Sequence, residues 1–137
     1  MVYCGNELAD SANINMFANR FHMGHYQVTD RSIAKEGYSI RRQEIIKKLN
    51  KLKQESDVLR YGKTVWLNNS ADDKVLSFER DYNGSKIILI GNVTKEPLTV
   101  TVDTDLRAEV LMSRGSAVQN NELTLEPHGY LVLEHKA

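Results

Sequence analysis

Helical periodicity rises in one stretch of this chain and then stops. From about Ser39 to Glu55 the apolar residues Ile45, Ile46, Leu49 and Leu52 recur at helical spacing, with Arg41, Arg42, Lys47, Lys48, Lys51 and Lys53 largely around the other side. Ser39 stands where a cap could, although Arg42 rather than Glu or Gln follows three residues on, so a capping box is incomplete. Past Gly62 no helical period survives. Short β-rich runs replace it at the spacing of a sandwich or barrel: Lys63–Leu67, Val75–Tyr82, Lys86–Asn92, Leu98–Asp103, Ala108–Ser113, Glu122–Glu126 and Tyr130–Glu134.

Within that second part the side-chain pattern assigns faces. Leu98, Val100 and Val102 alternate with Thr99, Thr101 and Asp103, which predicts one buried and one wet side. Ile87 to Ile90 is apolar without alternation, so this strand is expected to be central and covered twice, by the opposite sheet and by the preceding helix or a neighbouring domain. Asn83-Gly84 fits a two-residue type I′ turn, since both positions must tolerate positive φ. Arg114-Gly115-Ser116, Asn120-Asn121 and Pro127-His128-Gly129 are expected to punctuate the later strands.

Eighteen Lys plus Arg balance eighteen Asp plus Glu among 137 residues, so the long-range positive field that concentrates nucleic acid is missing and no nucleic-acid partner is expected. The longest apolar run is far below the roughly 20 residues of a membrane-spanning helix, and no membrane partner is expected. The amino terminus has neither the basic nor the long apolar region of a secretory signal. A single cysteine, Cys4, forms no internal disulfide and reads as a small apolar filler. His22 and His25 could ligate a metal with Cys4, His128 or His135, but no spacing fixes four ligands, so neither a metal nor a cofactor is expected. Three glycosylation tripeptides begin at Asn68, Asn83 and Asn92.

A complete (β/α)8 barrel needs about 250 residues and is excluded. What remains is an apolar run at Met1–Cys4, a polar loop, one amphipathic helix and an all-β module. A lone strand leaves both edges unpaired and one helix cannot bury its stripe unaided, so the first sixty or so residues look cut from something larger. Met1-Val2-Tyr3-Cys4-Gly5-Asn6-Glu7 resembles the last barrel strand of the family 13 glycoside hydrolases, the α-amylase family, where an apolar strand runs into Tyr-x-Gly-x-Glu. Asn19-Arg20 is similar to an Asn-Arg of the following loop. Arg41, Arg42, Ile45, Leu49, Leu52 and Val58-Leu59-Arg60-Tyr61-Gly62 resemble the eighth helix and its Leu-x-x-Gly exit, and the β-rich remainder looks like the family's carboxy-terminal domain C. Cys4, where the family often has an aromatic residue, and the segment Ala12 to Gly24 depart from the pattern.

The resemblance implies a mainly β fold: an antiparallel Greek-key β-sandwich over residues 62–137, preceded over residues 1–61 by one strand and one helix left over from the barrel. It also implies a parent enzyme that cleaves α-glucosidic bonds with retention, using two carboxyl groups about 5–5.5 Å apart. The family's catalytic acids sit on earlier barrel strands and would precede Met1, so no catalytic residue is expected here and the chain alone should be inactive. Its expected partners are the catalytic barrel of the parent, α-glucan through that enzyme, and further copies of the chain by self-association; an exported or secreted parent is implied by resemblance only. Glu7 and Arg20 are candidate substrate-binding residues of the intact enzyme, with an ion pair or solvated loop as the plainer reading. Trp66 and Tyr82, with Tyr61 beside them, could stack on pyranose rings, and packing within the core or between domains is the competing reading. A non-catalytic carbohydrate-binding sandwich is therefore the alternative function.

Overall fold

The computed structural model describes residues 31–137. The chain divides into two compact units, with the boundary between Leu52 and Lys53. Met1–Cys4, Glu7, Arg20, His22 and His25 lie outside the described residues.

A 3₁₀ turn, Arg31–Lys35, leads into helix α1, Gly37–Glu55, which belongs to the first unit as far as Leu52. The Gln43 side-chain amide donates to the Ala34 carbonyl at 3.1 Å and ties the turn to the helix. The helix starts two residues earlier than the sequence suggests, because the amide of Ile40 already donates to Glu36 O at 2.9 Å. Ser39 is consequently not the cap but a fully buried residue of the first turn. Tyr38, Ile45 and Leu49, seven and four residues apart, lie along one side of the helix and stay exposed.

The second unit opens with a five-residue helix, α2, Asp57–Tyr61. Ser56 caps it by accepting from the amide of Leu59 at 3.3 Å, and the amide of Gly62 closes it on Val58 O at 2.9 Å. A side chain at Gly62 would strike Val58 O and the Asp81 carbonyl, so only glycine lets the helix end press this closely on the sheet.

Six antiparallel strands follow: β1 Lys63–Trp66, β2 Val75–Tyr82, β3 Ser85–Asn92, β4 Leu98–Val100, β5 Glu109–Gln119 and β6 Glu122–His135. Their order is β1-β2-β3-β6-β4, with β5 also on β6. The β2–β3 turn has the expected positive φ at both Asn83 and Gly84, and Asn120-Asn121 joins β5 to β6 in the same way.

The sequence expectation of seven short strands needs one correction. Arg114-Gly115-Ser116 and Pro127-His128-Gly129 do not end strands; they bend two long ones. The first half of β6 pairs with β4 through Leu123–Leu125, and its second half pairs with β3 through Tyr130–His135. β5 accompanies β6 through both halves, with register shifts between Val110 and Met112 and between Arg114 and Ser116. Bulges of this kind let a strand turn a corner without surrendering its ladder. The hydrogen-bonded sheet thereby folds over on itself and makes both layers of the sandwich.

The core lies between the layers. Val75, Ile88, Ile90, Leu131 and Leu133 face Val100, Val102, Leu106, Leu123 and Leu125. Burying each such side chain contributes about 1.5–3 kcal/mol. At the fold line the side chain of Asn92 donates to Glu96 O at 2.7 Å and Glu126 O at 3.0 Å, and accepts from Thr94 N and Thr94 Oγ1 at 2.8 Å each. Gly129 sits in the same corner, where a Cβ would overlap the carbonyl oxygens of Gly115, Glu126 and Arg114.

Candidate functional site

The register of β3 shows why its apolar run does not alternate. Ile88 pairs with Leu133 and Ile90 with Leu131 on the core side, while Leu89 pairs with Val132 on the other. That second side carries its own cluster: Ile87, Val132 and Met112 buried with Val58 of α2, and Leu59, Tyr82, Leu89, Leu111 and Tyr130 packed around them. The strand is covered twice, as its composition predicts, and the second cover includes α2.

Tyr82 belongs to this cluster and meets Tyr61 with ring centroids 5.8 Å apart. Arg60 lies 5.0 Å over the Tyr61 ring, and Arg80 reaches back to Leu59 O at 3.5 Å. Trp66 has a different setting. It stands opposite Phe78 across the β1–β2 ladder, meets that ring edge-on at 5.7 Å and 71°, and remains 69% exposed. The sequence phase of β1 indicates that Trp66 points away from its neighbours; the structure shows that this direction is solvent. Phe78 and Tyr82 are four residues apart on one strand, about 13 Å, so Trp66 and Tyr82 are not brought together into one platform.

Beside Trp66 runs a groove of about 290 Å³ lined by Trp66, Leu67, Asp72, Val75, Leu76 and Ser77. The turn carrying Asp72 is tied down at several points. Asn69 Oδ1 accepts from the amide of Ala71 at 2.9 Å, Ala71 O accepts from the amides of Lys74 and Val75 at 2.9 Å each, and Asn69 Nδ2 donates to Ser77 Oγ at 2.9 Å. Ser77 Oγ in turn donates to Leu67 O at 2.8 Å. Sequence reasoning singled out Trp66 but missed Asp72, since nothing local to Asp72-Asp73 separates a groove carboxylate from an ordinary turn residue. A second, larger groove, about 630 Å³, is lined by Thr104–Arg107, Val118, Asn120 and Asn121.

Two sets of charged groups on the second unit form structural pairs. Lys86 Nζ is 2.7 Å from Glu79 Oε1 and 3.9 Å from Asp81, and the Glu79 hydrogen bond, opposed by partial burial, holds the Lys86 pKa above its ordinary value. Arg107 pairs with Asp105 at 3.1 Å and keeps that carboxyl below its usual range. His135 Nε2 contacts the Asp105 carbonyl at 2.9 Å. Among the described residues no three His, Cys, Asp or Glu side chains converge as a metal site, and no helix is long and apolar enough to cross a membrane.

This bent, two-layer sandwich is the fold of the β-rich domain of amylase-like enzymes, as the sequence resemblance implies. Among solved structures the chain is similar to the trehalose-6-phosphate hydrolase of Bacillus licheniformis, with 23% identity, a TM-score of 0.58, and 68% of this chain matched to 18% of that one. The isomaltulose synthase of Erwinia rhapontici, as a variant bound to sucrose, matches at 20% identity and TM-score 0.59, over 68% of this chain and 17% of that one. A maltogenic α-amylase of Thermotoga neapolitana matches over 99% of this chain and 32% of its own length, at 18% identity and TM-score 0.63. All three are family 13 enzymes. The chain spans about a fifth to a third of the length of these structures. No family model matches it, and no curated protein does.

Proposed function

We propose that the chain is the carboxy-terminal region of an α-amylase-like glycoside hydrolase acting on α-glucans such as starch, glycogen or maltooligosaccharides, with residues 1–61 as the last strand–helix unit of the barrel and 62–137 as domain C. In this reading it braces the barrel and performs no chemistry itself. The observation that carries the proposal is the match of 99% of this chain to only 32% of a maltogenic α-amylase. Two further features support it. The same sandwich occurs in enzymes named for hydrolysis and for isomaltulose synthesis, as expected of a part that supports a barrel rather than sets its reaction. The stripe of Tyr38, Ile45 and Leu49 on α1 is open to water, where an apolar neighbour would cover it.

The test is the coding frame upstream of Met1, followed by reconstitution. An open frame encoding a barrel with three acidic strand ends, whose product hydrolyses a chromogenic α-glucoside only when joined to or mixed with this chain, is the expected result. Turnover by the chain alone, abolished by Glu7→Gln, would overturn it. The second reading, a carbohydrate-binding sandwich without enzymatic role, is favoured by the exposure of Trp66.

A further inference from the structure

The geometry points to a surface subsite for one pyranose ring on the second unit, with Trp66 as the stacking platform and Asp72 as the hydroxyl acceptor. Its glucan preference rests on the function proposed above; the pyranose chemistry stands on the groove alone. A sugar ring presents an apolar C–H face and an equatorial rim of hydroxyls, so its recognition needs a fixed aromatic plane beside a hydrogen-bond acceptor. Trp66 provides the plane: it is 69% exposed on an edge strand, and the indole packs edge-on against Phe78 at 5.7 Å and 71°. Asp72 provides the acceptor. Its carboxylate makes no hydrogen bond or ion pair among the described residues, while the hydroxyl of Ser77, the other polar side chain of the groove, is already engaged by Asn69 and Leu67.

The turn that bears Asp72 is preorganised by the Asn69 and Ala71 hydrogen bonds, so ligand binding would not have to order it. At about 290 Å³ the groove is at the small end of ligand sites, which suits a single ring of an extended chain rather than an enclosed oligosaccharide. Neither Trp66, Phe78, Leu76 nor Asp72 belongs to the cluster formed with α2, so covering that cluster would not require burying this groove.

Trp66 is the chain's single tryptophan, so its emission reports on this site alone. Maltoheptaose titrated into the 137-residue chain is expected to change that emission saturably. Trp66→Ala should weaken retention in glycogen-containing gels at least tenfold, Asp72→Asn several-fold, and Trp66→Phe should restore part of the Trp66→Ala loss, with unchanged far-UV circular dichroism in each variant. A response to cellohexaose but not to maltoheptaose would uphold the subsite and sink the amylase-like parent. Unchanged emission with both sugars, or retention equal in Trp66→Ala and the unmodified chain, overturns the subsite and leaves the parent standing. Emission that responds only to addition of the barrel polypeptide also overturns it, making Trp66 a protein contact.

Discussion

Asn92 begins an Asn-Val-Thr tripeptide, yet it is 4% exposed and both ends of its amide are engaged at the fold line of the sandwich. A modification site in sequence is here a structural bolt, and a glycan on Asn92 is incompatible with the folded domain. Asn92→Ala strands two carbonyls and an amide, and is expected to cost about 2–4 kcal/mol, read as a lower urea midpoint with unchanged slope. Gly129→Ala, which drives a methyl into three carbonyl oxygens, should cost about 3 kcal/mol or more in the same assay. Lys86 carries a pH prediction. Its pKa is raised in the fold above the ordinary 10.5, chiefly by the hydrogen bond to Glu79. A raised pKa means that the pair's contribution is complete below pH 10.5 and is lost as pH climbs through the folded value. Because the ammonium is partly exposed, Lys86→Met should cost only about 1 kcal/mol near neutrality, and chemical denaturation at rising pH should show that difference closing above about pH 10.5.

Among the elements, the strands with strong period-2 or continuous apolar character were readable: β2 and β3, and the tight turn between them, lie where Val75–Tyr82, Asn83-Gly84 and Lys86–Asn92 put them. β4 was readable as well, since Leu98, Val100 and Val102 turn inward while Thr99, Thr101 and Asp103 stay exposed, as their alternation predicts; the continuity of β5 and β6 was not, for a definite reason. Gly115 and the Pro127–Gly129 triplet look alike in sequence whether they end a strand or bulge it, and only the pairing of β5 with β6 on both sides of them decides. Likewise α2, at five residues, is too short for a helical period to show in sequence; Val58–Gly62 is readable only through its resemblance to a helix exit, and Ser56 as a new cap is visible only in the structure. Trp66 was legible as a candidate and Asp72 was not, since the groove that unites them is made by a turn folding back over β2. At this scale α1 offers a test. Ile45 and Leu49 are 38% and 46% exposed, so Ile45→Lys with Leu49→Lys should leave the chain's unfolding free energy within about 0.5 kcal/mol, while any self-association of the unmodified chain in sedimentation at high concentration is expected to be lost. A large loss of stability would instead show that the stripe is structural within the chain.

At the scale of the whole molecule, the second unit has its own core, caps and turns, and residues 56–137 are expected to fold without the rest. Far-UV circular dichroism of that fragment should show antiparallel sheet, and its urea transition should be sharp; a sloping, non-cooperative loss of signal would contradict this. Leu125→Ala, at a site with no exposure, should lower its stability by about 2–5 kcal/mol. One property of the sandwich reaches further. Because β5 and β6 run unbroken through both layers, neither layer can come away while its partner stays intact, for the same two strands would have to be native at one end and melted at the other. Native-state hydrogen exchange should accordingly find no intermediate opening event: amides of Leu123–Leu125 and of Leu131–Leu133 are expected to share one protection free energy, equal to that of global unfolding.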